Sequence, residues 1–199
     1  EAQGHAYGTL SFTDVIVKSS NVGTVKIGLG LGADRLDRYV RGFGFGTRLS
    51  HDFHGENAGI VWQRSQWNES ALASVSMGYQ VGVTPLQMAA AASAVANGGE
   101  LVEPRIVRAF INGDRRLAEP RRVIRRVISP ETAAEMTTIM EGVVDRGTGQ
   151  LAKLPDYTVA GKTGTAEFDV YEAGQHVGRI NRTWFIGFAP YDKPQVAVA

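Results

Sequence analysis

The sequence predicts an α+β domain, and three observations carry that expectation. Two segments, VTPLQMAAAASAVANGG and SPETAAEMTTIMEGVVDRG, open with complete helix-start signals. Three runs near the C-terminus, YTVAGKTGTAE, RTWFIGFAP and QVAVA, follow one another at strand length, as in an antiparallel meander. Between helices and meander, RIVRAFI and RRLAEP flank a turn at Asn112-Gly113-Asp114, the pattern of a hairpin. Helices packed on one antiparallel sheet follow from this order, residues 1–100 being mainly helical and 101–199 mainly sheet with one long helix.

In chain order, Ser11 and Asp14 fit a helix cap ahead of Val15, Ile16 and Val17, and that short helix runs into Ser19-Ser20-Asn21. The apolar segment VGTVKIGLGL comes next, and ADRLDRYV then places Leu36, Tyr39 and Val40 toward one helical face. Glycines 42, 44 and 46 punctuate its end, and the polar, tryptophan-containing stretch 47–70 reads as loop. Thr84 is a natural N-cap, Pro85 sits at the first helical position and Gln87 completes a capping box. The alanines that follow imply close neighbours, hence a central helix, and Asn97-Gly98-Gly99 ends it. Ser129 and Pro130 repeat the same opening, with Met136, Ile139, Met140 and Val143 as the buried stripe. RRVIRRVI reads as a further strand or connection.

Composition narrows the function. Hydrophobic residues make up 43% and charged residues 21% of 199, an ordinary globular balance. Lys+Arg 21 against Asp+Glu 20 leaves +1, so no global field argues for nucleic acid. The absence of cysteine excludes a disulfide framework, a thiolate metal site and a cysteine nucleophile, and leaves the compartment open. No run approaches the roughly 18 apolar residues of a membrane span, and the first ten residues do not resemble a signal peptide. The chain begins on Glu1 and stops in the apolar run QVAVA, and is expected to be cut from a longer, anchored parent.

Two short motifs carry chemistry: Ser19-Ser20-Asn21 between helices, and Lys162-Thr163-Gly164-Thr165 in a strand after Gly161. Separately each is ordinary, since Ser and Asn end helices and Gly marks strand ends. Acyl transfer requires a nucleophile, a proton carrier, an oxyanion hole and a grip on the substrate. A Lys-Thr-Gly-Thr edge strand can pair with an extended peptide. Gly161 and Gly164 would let an acyl donor approach closely. Lys162 supplies positive charge, and the hydroxyls of Thr163 and Thr165 can bind a carboxylate.

In this order the motifs match those of serine acyltransferases. The chain resembles the transpeptidase domain of a class B penicillin-binding protein, with VKSSNVGTVKIG, YVRGFGFG, GVTPLQMAAAASAVANGG, GTGQLAKL and VAGKTGTAE as family blocks in family order from Tyr7 to Ala199. The resemblance implies a partial domain of the serine β-lactamase/penicillin-binding-protein fold, in a protein that cross-links peptidoglycan stem peptides ending in D-Ala-D-Ala and is acylated by β-lactams. It implies that Ser19 relays a proton to the leaving amine, and that Asn21 binds the substrate amide and orients the catalytic lysine. The Thr165 N–H becomes one of two oxyanion donors. No metal and no organic cofactor are implied. It places the parent at the extracytoplasmic face of the bacterial inner membrane, with a membrane glycosyltransferase and division or elongation proteins as partners.

One departure stands out. The residues three before the five lysines are Val15, Gly23, Gln150, Val159 and Pro190, so the family's Ser-x-x-Lys is absent. The chain alone is therefore expected to be inactive, and its helical half to be short of a core element. A D,D-carboxypeptidase, a non-catalytic peptidoglycan- or partner-binding relative, and a β-lactam sensor domain are the alternatives. Class A β-lactamase fits less well, because the spacing and blocks follow the class B pattern.

Other features have plainer readings. His51 and His54 lack a third metal ligand of clear spacing and read as a solvated loop. GLGLG and GFGFG lack dinucleotide-loop spacing. Arg115, Arg116, Arg121, Arg122, Arg125 and Arg126 read as a solvated face rather than a membrane or glycan contact. Trp62, Trp67 and Trp184 read as core or groove packing.

Overall fold

The computed structural model describes residues 6–199. Helix α1 (Phe12–Val17) starts where Ser11 Oγ accepts from the Asp14 N–H at 3.1 Å. In α2 (Asn21–Leu31), Ser20 is the cap, accepting from the Gly23 N–H at 3.1 Å. Although α2 is apolar for most of its length, Gly28 is its one buried residue. Helix α3 (Ala33–Gly42) packs Leu36 and Val40 against Trp67, Leu72 and Val75. Tyr39 leaves that face and is exposed, since it lies about 100° around the helix from Val40.

The stretch 47–70 is more ordered than its polarity suggests. It holds β1 (Ile60–Val61), a single 3-10 turn at Arg64–Gln66 and the start of α4 (Glu69–Ser76). Strand β1 pairs antiparallel with β2 (Val81–Gly82). A helix as short as α4 is marginal by itself and forms through tertiary burial. Leu72 and Val75 pack with Trp67, and α2 comes so close that a Cβ on Gly28 would lie 1.8 Å from Ser76 Oγ.

The centre is α5 (Pro85–Ala96), where the capping box between Thr84 and Gln87 is complete. Ala90 and Ala94 meet Leu49 and Leu101, while Val95 meets Met140, Ala160 and Phe188. Gln87 is fully buried, and its amide nitrogen donates to the carbonyls of Gly44 (3.3 Å), Thr47 (2.9 Å) and Ala58 (2.9 Å). Helix α6 (Pro130–Arg146) joins two clusters, Met140 facing α5 and β8, and Ile139 with Val143 facing α1.

Among the described residues the expected single sheet is four small antiparallel ones. Besides β1–β2, β3 (Glu100–Val102) pairs with β6 (Val123–Arg126), β4 (Ala109–Asn112) with β5 (Arg115–Ala118), and β7 (Ala160–Glu172), β8 (Gln175–Ala189) and β9 (Val196–Val198) form a meander in that order. Pro104 and Pro120 flank the short strands and have no N–H to continue a ladder. The predicted hairpin at Asn112-Gly113-Asp114 is present as β4–β5. Strands β7 and β8 run well past the predicted meander and close at Ala173-Gly174, both with positive φ as a tight hairpin requires. Arg179 ties this ribbon across strands to Asp169 (3.0 Å) and Glu167 (3.3 Å).

Gly99, with φ +93°, turns the chain from α5 into β3, and a Cβ there would sit 2.0 Å from the Ile128 carbonyl oxygen. Gly99→Ala is expected to cost about 2–4 kcal/mol, combining a left-handed backbone with a backbone clash. Urea unfolding checks this; an unchanged midpoint would contradict it.

Of the tryptophans, Trp67 is buried at 6% exposure, Trp184 is half-buried, and Trp62 is 45% exposed, so it is not a core residue. Arg41 Nη2 instead donates to the Trp62 carbonyl at 3.0 Å, fixing its backbone. Four of the clustered arginines have local partners. Arg121 and Arg126 pair with Glu100 (3.0 and 2.8 Å), Arg122 with Glu119 (3.5 Å), and Arg125 donates to the Arg41 carbonyl (3.2 Å). No helix among the described residues is long and apolar enough to cross a membrane.

Candidate active site

The C-terminus of α1 is anchored on the end of α6, and this fixes where Ser19 stands. Val17 is fully buried with Ile139 and Val143, and Asp14 pairs with Arg146 at 2.7 Å. The Arg146 guanidinium and the Ser11 hydroxyl hold the Asp14 carboxyl below its usual range. The Thr148 N–H donates to the Val17 carbonyl at 3.3 Å, and Gly147 leaves no room for a side chain, since a Cβ would lie 2.3 Å from that same oxygen.

Between α1 and α2 the chain reverses through Ser19, whose φ is +55°. A left-handed non-glycine residue costs about 1–3 kcal/mol and persists where its surroundings impose it. Here the Ser19 N–H donates to Ile16 O (3.1 Å) and the Ser20 N–H to Val15 O (2.9 Å). The turn presents the Ser19 hydroxyl to β7, where Lys162 Nζ donates to it at 2.8 Å. Lys162 also donates to the Thr163 carbonyl at 2.7 Å. Ser19 and Lys162 are 143 positions apart, so only the fold brings them together.

Among the described strands β7 pairs only with β8, which leaves its other edge unpaired. Gly164 and Thr165 are exposed on this strand, and Thr163 is half-buried. Asn21 is the first residue of α2, one position beyond the Ser20 cap. The two glycines before and within the motif differ in what they leave open. A Cβ on Gly161 would come within 2.3 Å of the Phe185 ring, so its missing side chain makes room for Phe185 and not for a ligand, contrary to the expectation for Gly161. At Gly164 the nearest atom is Trp184 Cβ, at 3.8 Å, so the strand surface there is open.

Thr148 also belongs to this site, its Oγ1 lying 2.5 Å from Thr163 Oγ1. Its sequence signal was the pair of flanking glycines in GTGQLAKL, which mark a close approach of backbone without revealing the partner. Two clefts, one around Glu103 and Arg105 and one around Glu141 and Tyr191, are lined by neither Ser19 nor Lys162. His51 Nδ1 lies 2.7 Å from Glu103 Oε1, and His54 is exposed. No group of three His, Cys, Asp or Glu among the described residues is placed to hold a metal ion.

Burial pushes the Lys162 ammonium down to about 8. Between that value and its ordinary 10.5, the unfolded chain holds a proton at this lysine that the folded chain has released. Lys162 therefore lowers stability below pH 8, and this penalty fades as pH rises toward 10.5. The stability of the wild type minus that of Lys162→Met is expected to rise across this window. A flat difference in pH-dependent unfolding would contradict the burial.

The site therefore consists of a serine hydroxyl held by a lysine beside an open strand edge. The chain belongs to the penicillin-binding-protein transpeptidase domain family, whose model matches residues 1–199. It is 35% identical over 195 residues to stage V sporulation protein D of Bacillus subtilis, covering 96% of this chain and 30% of that protein. It is also 35% identical over 206 residues to PbpB of Mycobacterium tuberculosis, covering 100% of this chain and 30% of that protein. The chain thus spans about a third of the length of these relatives. A crystal structure of penicillin-binding protein 3 from Mycobacterium tuberculosis in complex with aztreonam superposes with a TM-score of 0.90 at 36% identity, covering 100% of this chain and 46% of that one. The transpeptidase domain of penicillin-binding protein 3 from Burkholderia pseudomallei gives 0.81 at 33% identity, with 98% and 56% covered. The α+β architecture read from the sequence is that of these structures.

Proposed function

We propose that these residues form the substrate-holding part of a serine D,D-transpeptidase that cross-links peptidoglycan stem peptides through an acyl-enzyme and is inhibited by β-lactams. The observation that carries the reading is the 2.8 Å contact between Lys162 Nζ and Ser19 Oγ at the unpaired edge of β7. The nucleophile and its lysine come from a Ser-x-x-Lys outside these residues, since none occurs within them. The exposed apolar residues Val22, Leu29 and Leu31 of α2 are a surface for the segment that carries that motif.

In the proposed cycle the stem peptide lies along the β7 edge, its terminal carboxylate held by Lys162 and the hydroxyls of Thr163 and Thr165. Gly164 leaves room for that close approach. The nucleophile attacks the D-Ala-D-Ala carbonyl, and the Thr165 N–H takes part of the oxyanion charge. Ser19, hydrogen-bonded to Lys162, passes a proton to the departing D-alanine amine. Asn21 binds the substrate amide and orients the catalytic lysine. An acceptor amine then breaks the acyl-enzyme, and the chemistry needs no metal or organic cofactor. Solved relatives in complex with aztreonam and ampicillin support β-lactam recognition. On this reading the whole protein works at the outer face of the bacterial inner membrane, beside a membrane glycosyltransferase and the division or elongation machinery.

The test is to give the full-length protein a D-Ala-D-Ala-terminated stem peptide and an acceptor amine. D-Alanine release with a new amide bond is expected. Release without that bond would make the protein a D,D-carboxypeptidase. No release would sink the enzyme reading in favour of a peptide-binding relative or a β-lactam sensor.

A further inference from the structure

Thr148 touches both halves of the site at once. Its N–H donates to the Val17 carbonyl (3.3 Å), two residues before Ser19, and its hydroxyl oxygen lies 2.5 Å from that of Thr163, next to Lys162. Gly147 and Gly149 flank it, and a Cβ on either would press on Val17 O or on Val143, so the loop has no slack. The end of α6 thus holds the Thr148 backbone against Val17 and Val143, and from there the exposed Thr148 side chain reaches Thr163.

We propose that Thr148 is a positioning residue for carboxylate recognition, acting through Thr163 and setting the preference for acyl donors with a free carboxylate. This inference rests on the transpeptidase reading above. A threonine hydroxyl has a single proton. If Thr163 spent that proton on Thr148, it would have none left for an anion. With Thr148 donating into Thr163 Oγ1, the Thr163 proton points outward, and the chain Thr148 O–H to Thr163 O–H to carboxylate forms. Each bond in such a chain polarises the next. No covalent step is involved, and Thr148 itself does not touch the substrate.

The experiment measures acylation of the full-length protein by benzylpenicillin and by its methyl ester, in wild type, Thr148→Val, Thr148→Ser and Thr163→Val. Losing an oriented hydrogen bond to a charged group should lower the acid-to-ester rate ratio about tenfold in Thr148→Val. Thr163→Val should lower it at least as much, and Thr148→Ser should restore it. A damaged fold would slow acid and ester together, leaving the ratio unchanged. An unchanged ratio in Thr148→Val, whether or not both rates fall, overturns the proposal for Thr148 alone. A wild-type protein that neither reagent acylates overturns the transpeptidase reading, and the role of Thr148 with it.

Discussion

Acylation of the full-length protein by benzylpenicillin is expected to fall about 10³-fold in Lys162→Ala, within the range for losing a positioned proton-transfer or charge-stabilising group. Lys162 makes two bonds at once, to the Ser19 hydroxyl (2.8 Å) and to the Thr163 carbonyl (2.7 Å), and carries the charge that a substrate carboxylate would meet. Alanine removes all three contributions while leaving the β7–β8 pairing intact, so folding should survive. Lys162→Arg keeps the charge but replaces a compact ammonium with a planar fork, and should rescue only part of the rate. Ser19→Ala should cost a similar factor, and the double variant little more, because the two side chains act as one unit. Ser19→Gly separates activity from stability. It deletes the same hydroxyl but relieves the left-handed backbone at φ +55°, so the fold should gain about 1 kcal/mol while acylation falls. Stopped-flow acylation and urea unfolding on the same variants check both halves.

Gln87→Leu is the substitution expected to damage the fold most, by about 3–5 kcal/mol, because it removes one buried and three part-buried hydrogen bonds together. The Gln87 amide nitrogen donates to three carbonyls, those of Gly44, Thr47 and Ala58, and its Oε1 accepts from the Thr84 N–H at 3.0 Å. Leucine has a similar volume and keeps the packing, so the loss isolates the hydrogen bonds. The same side chain thus caps α5 and ties down the irregular segment after α3, and its removal should loosen residues 44–58 first. Hydrogen exchange read by mass spectrometry would show that order. A loss below about 1 kcal/mol would mean that water replaces the amide, contradicting the full burial of Gln87.

The two helices that the sequence announces most plainly carry strong local start signals. Thr84-Pro85 with Gln87, and Ser129-Pro130, act within one turn of their own chain, and the structure places α5 and α6 where those signals put them. Helix α4 was not legible, because its eight residues depend on Trp67 and on the absence of a side chain at Gly28, contacts made across the fold. The β7–β8 ribbon beyond Thr165 escaped for a related reason. Its strands are held by cross-strand pairs such as Asp169 with Arg179 and Phe168 opposite Ile180, which only the register of the ribbon brings together. Within the site, Lys162 and Ser19 were legible as members of motifs, but their contact across 143 positions was not. Gly161 was misread because a glycine in a strand does not say which neighbour fills its place, and here Phe185 does. Thr148 lay in a recognised block, yet its hydroxyl acquires meaning only beside Thr163.

The most direct test of the central claim is the intact mass of the full-length protein after incubation with benzylpenicillin, followed by peptide mapping. The account predicts one adduct per molecule on the serine of a Ser-x-x-Lys motif, lost in Lys162→Ala, and no adduct on the 199-residue chain by itself. No adduct on a folded full-length protein, or an adduct on Ser19, would contradict it.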